Sequence, residues 1–110
     1  MKTYQPILIT SILAAAALAR FQMVGFDGNV AAAGAAALGA CDTDTDLGDE
    51  APVAVSGILL VTAGAAIAVG AKVEVGTSGK VITNTTGVSC GYALDAAAAD
   101  GDAIRIVRGI

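Results

Sequence analysis

Ala71-Lys72-Val73-Glu74-Val75-Gly76-Thr77-Ser78-Gly79-Lys80-Val81-Ile82-Thr83 is the stretch that decides the fold. Its first five residues alternate apolar and polar, as a strand with one buried face must. Gly76 to Gly79 supply the positive φ values of a hairpin turn, and Lys80 to Thr83 form the returning strand. An earlier stretch repeats the plan: Leu18-Ala19-Arg20-Phe21-Gln22-Met23-Val24-Gly25-Phe26 runs parallel to Ile67-Ala68-Val69-Gly70-Ala71-Lys72-Val73-Glu74-Val75. The Asp27-Gly28-Asn29 turn then leads into Val30, so that Gly28-Asn29-Val30 matches Gly79-Lys80-Val81.

The correspondence extends outward in both directions. Cys41 falls opposite Cys90, and Gly48-Asp49 with the strand Val53 to Ile58 falls opposite Gly101-Asp102 with Ile104 to Ile110. The chain therefore reads as two tandem pseudo-repeats of about fifty residues, too short to be stable singly, which bury their apolar faces against each other. Repeat one spans about 11–58 and repeat two about 60–110. The expected class is all-β, a small sandwich or barrel forming one domain over 11–110. Residues 1–10 precede it as an extended N-terminal arm, in which Pro6 disfavours a central strand. A helix over Ser11 to Arg20 competes locally, with Ser11 as its cap on an Ala-rich run.

Composition supports this class. Of 110 residues 55% are hydrophobic, but only 4% are aromatic, so the core must form by close backbone approach of Ala, Gly and Val. The charge is −4, and the six cations Lys2, Arg20, Lys72, Lys80, Arg105 and Arg108 are scattered. They form no phosphate-tracking surface, which argues against nucleic acid as a partner. The run Ile7 to Ala19 imitates a signal peptide, but Pro6, Thr10 and Ser11 interrupt it, and it is too short to span a bilayer, so no membrane partner is expected.

Signals of chemistry are few. There is no histidine, and so no Ser-His or Cys-His pair and no ordinary general base near neutral pH. Phosphate-binding and dinucleotide fingerprints are missing, and no enzymatic activity, catalytic residue or cofactor is expected. Asp42-Thr43-Asp44-Thr45-Asp46-Leu47-Gly48-Asp49-Glu50 resembles a calcium loop. Counted from Asp42, though, its glycine comes one residue late and Val53 stands where the closing Glu belongs. It reads as a solvated loop without metal. Cys41 and Cys90 read as buried free thiols, with a single disulfide as the alternative.

One group of residues carries a family resemblance. Phe21 with Val24-Gly25-Phe26-Asp27-Gly28, the Ala33 to Gly39 segment leading into Gly48 to Gly57, and Ala98-Ala99-Asp100-Gly101-Asp102-Ala103-Ile104-Arg105-Ile106 together resemble the capsid cement, or head-decoration, proteins of tailed bacteriophages. The resemblance implies a structural protein that assembles as a homo-oligomer, most often a trimer, on the outer surface of the virion head. It implies that the protein stabilises the shell by bridging neighbouring major capsid proteins. The arm residues Thr3, Tyr4, Gln5, Pro6, Ile7 and Ile9 are then the expected capsid-binding segment, being too apolar to stay in water. A secreted or surface carbohydrate-binding module is the alternative, but sugar sites favour aromatic platforms, and only Tyr4, Phe21, Phe26 and Tyr92 are available.

Overall fold

The computed structural model describes residues 5–109. Among the described residues eight strands form one sheet: β1 (Gln5–Leu13), β2 (Met23–Val24), β3 (Gly39–Cys41), β4 (Glu50–Thr62), β5 (Lys72–Val75), β6 (Val81–Thr83), β7 (Ser89–Ala93) and β8 (Ala103–Arg108). The order β2-β3-β4-β8-β7-β5-β6, with β1 added on β4, is antiparallel throughout its ladders. Its two ends meet. The Gln22 amide donates to the Ser78 carbonyl at 2.8 Å, and Gly34 N donates to Val75 O at 2.8 Å, so the sheet curls into a nearly closed barrel and leaves few free edges.

Both predicted turns are present. Val75 pairs with Val81 across a short 3₁₀ turn, in which Ser78 and Gly79 take φ of 59° and 72°. In the first half Val24 bridges Val30, Gly25 N donates to Asn29 O at 2.9 Å, and Asp27 accepts from the Asn29 backbone and side chain.

Backbone bonding recurs between the halves. Leu18 exchanges two hydrogen bonds with Thr45, and Ile67 exchanges two with Ala97. Ala14 donates to Asp49 O and accepts from Gly48 N; Ala63 donates to Asp102 O and accepts from Gly101 N. Phe21 N reaches Cys41 O where Gly70 N reaches Ala93 O. In this pattern Cys41 corresponds to Ala93, not to Cys90, which lies three residues earlier on β7. Val75 lies five residues after Gly70 where Val24 lies three after Phe21, and Ala93 lies twelve after Val81 where Cys41 lies eleven after Val30, so a constant spacing slips by the time it reaches the cysteines.

β4 serves both halves. Glu50 to Ile58 pair with β1, while Gly57 to Thr62 pair with β8. The Leu13–Glu50 pair precedes Ala14 as the Thr62–Ala103 pair precedes Ala63, so β1 stands to the start of β4 as the end of β4 stands to β8. The boundary expected at residue 10 thus falls within a continuous strand. Ser11 to Leu13 are in β1 and no helix follows, because the backbone groups of Ala14, Ala15 and Leu18 are bonded to Asp49, Gly28 and Thr45 instead of to one another. The Ala-rich propensity is overridden by these tertiary bonds.

The interior is small-residue packing around Leu59, Val61, Val73, Val75, Val81, Ile104, Ile106 and Met23. A second cluster, Ala14, Leu18, Val24, Cys41, Ala51 and Val53, fills the first-half end, with Ile12 packed against it. Both cysteines are free and buried.

Candidate interaction surface

β1 is an edge strand with apolar side chains on both faces. Its ladder is to β4 alone among the described residues. Ile7 is 85% exposed, Leu8 52%, Ile9 47% and Leu13 61%. No Lys, Arg, Asp or Glu occurs from Gln5 to Leu13, so the edge lacks the charges that usually block strand addition. Pro6 sits at its start, where the pairing with β4 becomes irregular between Pro6 and Leu8, and there a missing N–H is tolerated.

Of the sequence-predicted binding residues, Gln5, Pro6, Ile7 and Ile9 lie here in the extended strand; Gln5, Pro6 and Ile9 pair with β4, while Ile7 falls at the irregularity between Pro6 and Leu8. Thr3 and Tyr4 lie outside the described residues. Leu8 and Leu13 are exposed on the same strand but are not among the residues expected to bind. Alternation fails as a guide on a strand exposed on both sides.

The acidic loop holds Asp44, Asp46, Asp49 and Glu50 exposed and Asp42 half-buried. Asp44 Oδ1 accepts from Arg20 N at 2.8 Å. No group of three or more His, Cys, Asp or Glu able to hold a metal forms among the described residues. The Cys90 thiol is pushed up to about 11 by burial, which keeps it protonated and a poor nucleophile at neutral pH.

Other polar groups hold the fold. Asp95 binds the Arg105 guanidinium through both carboxylate oxygens, at 2.9 and 3.0 Å, and also accepts from Arg105 N, which raises the arginine's pKa. Buried Glu74 accepts from the backbone and hydroxyl of Thr85; these bonds hold its carboxyl below the usual carboxylate range. Arg108 reaches the Ala37 carbonyl at 3.1 Å, tying β8 to a first-half loop. An open hollow of about 450 Å³ beside Glu74 is lined by Thr77, Lys80, Thr86 and Asp100. It offers hydrogen bonding but no aromatic platform for a sugar.

An exposed, uncharged apolar edge is a feature of an assembly surface. The phage cement protein family model matches residues 1–108, and the chain belongs to that family. It is a structural protein of the phage head that binds the capsid. Among solved structures, it is similar to the N base of head fiber gp8.5 of bacteriophage phi29, with a TM-score of 0.74 at 20% identity over 91% of this chain and 92% of that one. At that identity the likeness concerns the fold. Comparison with curated protein sequences gave no match.

Proposed function

We propose that this protein cements the outer surface of the head by bridging neighbouring major capsid proteins, and that the segment from Thr3 to Ile9 makes a principal contact. The observation that carries the proposal is the exposed apolar edge of β1, above all Ile7, Leu8 and Ile9. Such an edge adds to a partner's sheet through its main chain, while side chains on both faces fill pockets. The subunit works as a small oligomer, a trimer by family resemblance. Several contacts made together hold capsomers against internal pressure better than any one alone. Nothing in this role requires a bond to be made or broken, and it agrees with an interior of Val, Ile, Leu and Ala lacking histidine.

The test is decoration of undecorated heads by the purified full chain, imaged to locate the added density and followed by the temperature at which heads rupture. Binding outside the shell with a raised rupture temperature supports the proposal. I7S/I9S keeps the β1 backbone paired and should lose most of the affinity. Unchanged binding by that variant would move the contact away from β1, and absence of wild-type binding would end the cement reading.

A further inference from the structure

Three segments meet at the first-half end of the barrel. Ala14 bonds with Gly48 and Asp49, and Ala15 N donates to Gly28 O at 3.0 Å. Leu13, Phe26 and Leu47 stand on the three segments that these backbone bonds join, and are 61%, 67% and 67% exposed. The second half supplies an internal control. Ala63 makes the same bonds with Gly101 and Asp102, and the turn Gly76 to Lys80 closes as Gly25 to Asn29 does. Thr62 and Asp100 therefore occupy the places of Leu13 and Leu47, whereas Thr77 and Lys80 match Phe26 and Asn29 by turn position only, because Gly64 N donates to Val81 O where Ala15 N donates to Gly28 O. There the hairpin is tied to the neighbouring loop by a Lys80–Asp100 ion pair of 2.9 Å.

The bonds around Ala14 and Ala63 thus carry apolar neighbours in one half and polar ones in the other. They do not demand Leu13 and Leu47, because the same bonds form with Thr62 and Asp100 in those places. Three large side chains left in water at one corner mark a surface that something covers.

We propose that this corner is a second docking surface for the shell protein, one that seats an apolar projection rimmed by lysine or arginine. The occupant follows from charge. Asp27, Asp46, Asp49 and Glu50 border the three side chains, and no Lys or Arg lies in 13–15, 25–29 or 46–50. A second copy docked corner to corner would press acidic rim against acidic rim. A basic-rimmed partner gains from the same carboxylates. Phe26 also borders a shallow hollow of about 360 Å³ lined by Ala31, Ala32, Ala35 and Ala36, which extends the apolar area.

This inference rests on the head-binding role but not on β1 being the clamp. It is tested with the full chain on undecorated heads of the phage that encodes it. F26S/L47S changes only exposed side chains and should fold, oligomerise and melt as the wild type does, yet lose about tenfold or more in affinity for heads. K80A/D100A, altering the matching second-half corner, should bind normally. A photo-crosslinker replacing Leu47 should join the chain to the shell protein. Normal binding by F26S/L47S overturns the proposal, as does crosslinking only to a second copy, or dissociation of the oligomer by these substitutions. If wild-type chain itself ignores heads, the cement reading fails as well; if wild type binds and F26S/L47S binds equally, this corner alone is refuted.

Discussion

The two halves of the barrel make corresponding backbone bonds around Ala14 and Ala63 but differ in what their side chains do there. Around Ala14 lie Leu13, Phe26, Leu47 and a loop of exposed carboxylates; around Ala63 lie Thr62, Thr77 and the Lys80–Asp100 pair. Interiors differ too. Leu18 belongs to the small cluster with Cys41 and Val53, whereas its counterpart Ile67 joins the main core. The comparison separates what the architecture needs from what a partner needs. Features present in both halves, such as the reciprocal bonds of Leu18–Thr45 and Ile67–Ala97, are structural. Features found in one half only are candidates for function.

The largest effect should come from a feature that both halves share. Val24 pairs with Gly39, and Val73 with Gly91. A Cβ on Gly39 would lie 2.0 Å from Ala54 O, and one on Gly91 2.7 Å from Val107 O with φ at +146°. Each glycine lets the following strand cross close to its backbone. Replacing either by alanine should cost roughly 3 kcal/mol, the upper end for overpacking, with G39A the worse because its clash is tighter. Denaturant midpoints measure both; a loss at only one site would mean that the halves do not share this packing.

Glu74 breaks the likeness, because it anchors the 84–88 loop through Thr85. Asn84 reaches Gly87 O, and Val88 N donates to Gly34 O, which joins this loop to the first half. With its folded pKa depressed, the carboxylate contributes stability that is fully present above its ordinary value of 4.5 and lost as pH falls through the lower, folded value. Wild-type melting temperature should therefore drop as pH falls below 4.5. In E74Q it should be lower at pH 7 and less sensitive to acid. Parallel pH profiles for the two proteins would remove Glu74 as the clamp.

A smaller effect tests the strained turn. Phe21 and Gly70 hold equivalent places at φ of 68° and 81°, and Arg20 stacks on the Phe21 ring with 4.5 Å to its centroid. The space around Gly70 is open, so G70A should cost only the left-handed strain, about 1 kcal/mol. A loss several times larger would show that Gly70 is packed in a way Phe21 is not.

Much of this was legible in the residues, and the gaps have physical causes. Alternation in Ala71 to Val75 and the glycines of both turns announced the hairpins, because short-range geometry decides them. The opposition of Cys41 and Cys90 misled, since identical residue types at constant spacing hide the insertion that moves Ala93 into Cys41's place. Pro6 and the lack of turn signals suggested an extended arm or edge, and an extended apolar segment looks the same in sequence whether it is free or paired, because the partner, β4, lies far along the chain. The Leu13–Phe26–Leu47 corner was illegible for the same reason. Leu47 stands alone in an acidic run, and only the Ala14 bonds bring it near the other two.

The smallest effect concerns the ion pair that distinguishes the corners. Lys80 and Asp100 side chains are 37% and 65% exposed, so solvent and salt screen most of their attraction, and ordering two long side chains offsets part of the rest. K80A should lower stability by about 0.5 kcal/mol or less, and less still in high salt. The reciprocal substitution N29K/L47D places a lysine and an aspartate at the matching positions of the first half. Since the Gly25–Asn29 turn closes with the same bond as Gly76–Lys80, and Gly48 bonds Ala14 as Gly101 bonds Ala63, this variant should melt within a few degrees of wild type and gain slightly at low salt. A large destabilisation would show that the apolar corner supports the fold itself, and that the two halves are less interchangeable than their hydrogen bonds imply.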